Sequence, residues 1–63
     1  MLLKELFKVF ITTDNKVKLT YIENGEVNEI LNYPSSIEHY FPNLLEKEIT
    51  GFYVSNNRLN IML

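Results

Sequence analysis

His39 is the single imidazole of the chain, and Ser35 and Ser36 precede it closely. A serine nucleophile needs a base within hydrogen-bond reach and a third group that orients that base. Neither requirement is met in the local pattern. On a helix Glu38 projects about 100° away from His39. Ser35 followed by Glu38 instead has the spacing of a helix capping box. His39 falls on the polar side of the apolar stripe around it, which favours a surface position.

Paired carboxylates are the other catalytic possibility. Glu23 with Glu26, or Glu46 with Glu48, could stand near one another. General acid–base work needs one carboxyl with a raised pKa inside a cleft, and clefts that hold ligands start at about 300 Å³. A chain of 63 residues is not expected to enclose one. Gly25 and Gly51 stand apart, so no phosphate-cradling loop exists. Cysteine is absent, which excludes disulfides and Cys-based zinc sites, and one histidine excludes a His-rich metal site. The expectation is a protein without catalytic, cofactor-binding or metal-ligating residues: not an enzyme, with no cofactor.

The elements that must carry any remaining function are short. The length allows one domain, spanning 1–63. A domain this size buries only about 60% of its unfolded surface, so its stability should be marginal without staples or a partner. Eight aromatics, four Phe and four Tyr, supply large buried areas, and a homodimer is expected. No apolar run reaches the roughly 18 residues of a membrane span, so no membrane association is expected and the expected compartment is cytoplasmic. The net charge is −2, with the lysines gathered toward residues 1–18 and the glutamates beyond. Residues with A/T-rich codons (Phe, Tyr, Met, Ile, Asn, Lys) number 29 and those with G/C-rich codons (Gly, Pro, Arg, Ala) five, which points to a low-GC genome. Short reading frames of this kind are common in phages and mobile elements.

Turn signals at Asp14-Asn15, Asn24-Gly25, Pro34-Ser35-Ser36, Thr50-Gly51 and Asn56-Asn57 divide the chain. Residues 6–12 and 16–22 alternate with period two, giving Phe7, Val9, Ile11 and Val17, Leu19, Tyr21 as apolar sets. The opening residues also fit a helix through Leu2, Leu3, Leu6, Phe7 and Phe10, but the Val-Phe-Ile-Thr-Thr run favours a strand. A three-residue loop at Asn24-Gly25 would place Val27, Leu31 and Tyr33 on the core face, with Glu29 as an exception. Ile37, Tyr40, Phe41, Leu44 and Leu45 recur at helical spacing over 36–48, interrupted by Pro42, which implies a kinked helix or two short turns. A two-residue turn at Asn56-Asn57 pairs Val54 with Leu59 and Phe52 with Ile61. The expected fold is α+β: a small antiparallel sheet, β-β-β-α-β-β, with one kinked helix packed on one face.

That arrangement leaves a second sheet face. Phe10, Ile22, Ile30, Tyr53 and Met62 should lie on it, forming an apolar patch of the kind monomers seldom expose. Aromatic and Met side chains ringed by polar ones suit a protein interface. The expected function is therefore a small non-catalytic interaction module, whose most concrete form is a phage or mobile-element protein that binds and modulates a host protein. The alternative is a nucleic-acid binder in which Lys8, Lys16 and Lys18 neutralise phosphates beside Phe10. The acidic net charge and single arginine weigh against it.

Overall fold

A computed structural model describes residues 1–9 and 15–63. The chain forms helix α1 (Leu3–Val9), strands β1 (Val17–Glu23) and β2 (Glu26–Asn32), helix α2 (Pro34–Tyr40), a 3₁₀ turn (Pro42–Glu46), and strands β3 (Gly51–Ser55) and β4 (Arg58–Met62). The four strands make one mixed sheet in the order β2-β1-β4-β3. The α+β class matches the expectation, and the order β-β-β-α-β-β and the antiparallel sheet match in part: the first element is a helix, and β1 pairs with β4 in parallel while the other two pairings are antiparallel.

The opening segment is helical where a strand over 6–12 was expected. The reason lies in contacts distant in sequence. Leu2 bridges Glu48, the Leu3 N–H donates to the Lys47 carbonyl at 3.0 Å, and the Ile49 N–H donates to the Met1 carbonyl at 2.8 Å. The Met1 ammonium also meets Glu48 at 3.1 Å. The Glu5 carboxylate accepts from the Leu2 N–H at 2.7 Å, closing the first turn. With the start held this way, Leu3 and Phe7, four apart, bury on one helix face. Residues 10–14, which include Phe10, Ile11 and the expected Asp14 turn, lie outside the described residues.

The second correction is one of register. Asn24 and Gly25 both have positive φ (54° and 77°) and form a two-residue turn flanked by Glu23 opposite Glu26. Asn-Gly favours this turn because its twist matches that of the strands. The three-residue loop is thus ruled out, and one residue of difference inverts β2. Leu19 now faces Ile30, Tyr21 faces Asn28 and Val17 faces Asn32. Val27, Leu31 and Tyr33, expected in the core, are exposed. Glu29, an anomaly in the expected register, sits on the outer face 3.3 Å from Lys18.

The segment 36–48 divides at Pro42 rather than forming one kinked helix. Proline drives its preceding residue out of the helical region, and Phe41 has φ −131° and ψ 55°. The capping box at Ser35 is not used. Helix α2 starts two residues earlier, with Pro34 as its first residue and Tyr33 as a cap without a side-chain bond.

The hairpin β3–β4 has the expected register, Val54 opposite Leu59 and Phe52 opposite Ile61, around Asn56 and Asn57 at φ 55° and 60°. Strand β4 then lies parallel to β1, with Leu19 beside Ile61. Strands β2 and β3 form the two edges, so the segment between them crosses the whole sheet. Leu3, Phe7, Val17, Leu19, Ile37, Leu44 and Ile61 form the core beneath that crossing, flanked by Leu6, Tyr21, Ile30, Leu45, Ile49, Leu59 and Leu63. Each fully buried aliphatic side chain contributes roughly 1.5–3 kcal/mol. Phe52 and Val54 are in register with this core yet exposed, because the helical layer stops short of β3.

Candidate interaction surfaces

Every core residue contributed by a helix packs on the sheet face that carries Val17, Leu19 and Ile61. The opposite face is set by strand register. One row across it reads Leu31, Lys18, Asn60, Tyr53; the next reads Glu29, Thr20, Met62, Gly51; beyond them Ile22 stands opposite Val27. Ile22, Val27, Leu31, Tyr53 and Met62 are all exposed. Met62 lies diagonal to Ile22, within reach of its side chain, so Val27, Ile22 and Met62 make an apolar strip at one end. The centre is polar: Asn60 is 8% exposed and its side-chain amide donates to the Arg58 carbonyl at 3.0 Å.

The five residues expected to form one interface are therefore divided. Ile22, Tyr53 and Met62 share the outer face. Ile30 lies on the covered face and packs against the core, a direct result of the two-residue turn. Phe10 is outside the described residues. Val27 and Leu31 join the outer face in place of Ile30, and the preference of Asn-Gly for a two-residue turn was the signal that could have found them.

The three lysines are not gathered on one sheet face. Lys8 lies in the last turn of α1. Lys16 precedes β1 with its ammonium 5.8 Å from the Tyr33 ring centroid, and Lys18 is paired with Glu29. His39 is exposed and meets Tyr40 edge to face, ring centroids 4.6 Å apart at 84°. Among the described residues no group of three His, Cys, Asp or Glu could hold a metal. None of the described helices is long and apolar enough to cross a membrane.

One feature had no counterpart in the sequence reading. The break at Phe41-Pro42 opens a groove of about 590 Å³ beside the end of β1, lined by Tyr21, Tyr40, Phe41, Pro42 and Leu44 with Glu23, Asn43, Glu46 and Lys47 on its polar side. Its volume is that of a small-ligand site, but it is open to solvent and Glu46 is engaged by Lys4 at 3.0 Å. Pro42 signals the break in the helical path at Phe41, but not the groove, which needs Tyr21 of β1 as its opposite wall.

Comparison with known protein families, curated proteins and solved structures finds no match for this chain.

Proposed function

We propose that this chain is a small non-catalytic protein-interaction module that works by surface complementarity through its outer sheet face. The observation that carries the reading is the one-sided helical layer. It leaves Ile22, Val27 and Met62 as a strip, with Leu31 and Tyr53 alongside, all in water. The strip is bordered by Thr20, Glu29 and Asn60, and an apolar cluster with a polar border resembles the make-up of protein interfaces. The A/T-rich residue usage supports its most concrete form, a phage or mobile-element protein that binds and modulates a host protein.

Affinity capture from a low-GC bacterial lysate, run with the natural chain and with Ile22→Glu, tests it. The expected result is a partner retained by the first and lost with the second. No partner, or equal retention by both, would refute the reading.

A further inference from the structure

We infer that strand β3 pairs with β3 of a second copy of this chain, antiparallel and centred on Tyr53. The proposal concerns the sheet edge and stands apart from any partner of the outer face.

The turn at Asn56-Asn57 and the bonding of β4 together fix which main-chain groups of β3 point outward. The Leu63 N–H donates to the Thr20 carbonyl of β1 at 2.9 Å. Main-chain groups alternate along a strand, so Leu59 and Ile61 also turn theirs toward β1. Their partners Val54 and Phe52 then direct N–H and C=O away from β4, into solvent. On its other side, Tyr53 pairs with Asn60. The edge thus offers two donors and two acceptors, on Phe52 and Val54.

A two-fold axis at Tyr53 uses all of them. Phe52 then exchanges both hydrogen bonds with Val54 of the second copy, and Val54 with its Phe52. It is also the only two-fold register that overlaps the whole of Gly51–Ser55 with itself. Phe52 and Val54, 62% and 71% exposed, come together with their symmetry mates on the face beside the helical layers. The two Tyr53 rings meet as a cross-strand aromatic pair on the other face.

Charge selects this edge and this occupant. Strand β3 carries no ionisable group other than the Tyr53 phenol, so self-pairing opposes no like charges. Strand β2, the other edge, carries Glu26 and Glu29, and an equivalent pairing centred on its middle residue would set Glu29 against Glu29. Charged residues on an edge strand are a common guard against such pairing, and β3 has none. The exposed parts of Phe52, Tyr53 and Val54 amount to roughly 550–950 Å² over two copies, taking areas of about 150–250 Å² for each residue. That is about half of a standard stable interface, so the dimer is reversible and dissociates on dilution.

Because the chain has no cysteine, single-cysteine variants read the register directly. Opposed residues of an antiparallel pair have Cα atoms about 4.5–5.5 Å apart, within disulfide range. Under mild oxidation Tyr53→Cys is expected to form a covalent dimer. Phe52→Cys and Val54→Cys alone are expected not to, while a mixture of the two cross-links. Sedimentation equilibrium of the natural chain from about 1 mM down to about 10 µM should show dimer giving way to monomer, and Phe52→Lys should be monomeric throughout while retaining its circular dichroism. A natural chain monomeric over the whole range, unchanged association in Phe52→Lys, or self-cross-linking at position 52 or 54 in preference to 53 would overturn the proposal.

Discussion

The Met62 side chain lies across Gly51, so close that a Cβ at position 51 would stand 2.9 Å from the Met62 Cε. The contact involves the far end of a flexible side chain, and the backbone at Gly51 needs no positive φ. Gly51→Ala should therefore shift Met62 rather than unfold the sheet. The entropy that alanine removes from the unfolded chain, about 0.4–1 kcal/mol, offsets the cost of moving the methyl group. We expect a stability within about 1 kcal/mol of the natural chain in urea unfolding, with a shifted Met62 methyl resonance.

Gly25 should behave in the opposite way. Space around it is open, with nothing within 4 Å of a Cβ, but its φ of 77° disfavours any side chain. Gly25→Ala is expected to lose about 1–2 kcal/mol by the same urea measurement. The two glycines separate steric crowding from backbone strain, and equal effects would contradict both assignments.

Leu19 is fully buried where β1 meets Ile30 on one side and Ile61 on the other. Leu19→Ala removes transfer energy and leaves a cavity, about 2–5 kcal/mol together. For a chain of 63 residues the whole stability is only about 3–9 kcal/mol. The variant should be largely unfolded at 37 °C by circular dichroism.

The Lys18–Glu29 pair, 3.3 Å apart, is a surface feature, with Glu29 57% and Lys18 35% exposed. Such pairs contribute little because water and salt screen them and two long side chains must be held still. Glu29→Gln should change stability by less than about 1 kcal/mol, and the chevron of folding rates should stay in place.

Nucleic-acid retention should be absent. Lys8, Lys16 and Lys18 are not gathered on one sheet face, Glu29 stands beside Lys18, and the chain is net acidic. At about 50 mM salt, where phosphate contacts are strongest, the protein should pass through DNA and RNA columns without delay. Retention lost on replacing Lys16 and Lys18 would restore the alternative reading.

Local pattern carried the fold as far as neighbouring residues decide it. Asn56-Asn57 set the β3–β4 register, alternation placed Val17 and Leu19 inward, and helical spacing found Ile37 and Leu44. Parity at Asn24-Gly25 was misread because the alternation of Val27, Leu31 and Tyr33 was weighted above the turn's own geometry. On an edge strand with a single neighbour the turn prevailed, and Glu29, acidic on a face assigned to the core, was the visible sign of the wrong register. The helix at the start and the parallel contact of β1 with β4 depend on main-chain bonds more than 40 positions apart, such as Leu3 to Lys47 and Leu63 to Thr20. No window of neighbouring residues contains them. Ile22, Tyr53 and Met62 were legible as outward-facing; the groove at Phe41-Pro42 was not, since it exists only once the two helical turns pack beside Tyr21.

The strand beside β1 at the middle of the sheet, β4, comes after every other described element in chain order. During synthesis Leu19 has no Ile61 to close against, and the hairpin of β1 and β2 must wait, half bare, until the ribosome has released 58–62. Two-stranded hairpins alone are marginal in water, and pairing so remote along the chain slows collapse. The sheet thus closes only once β4 has been made, and a truncation ahead of Arg58 would yield a polypeptide that proteases clear rather than a smaller version of the same domain.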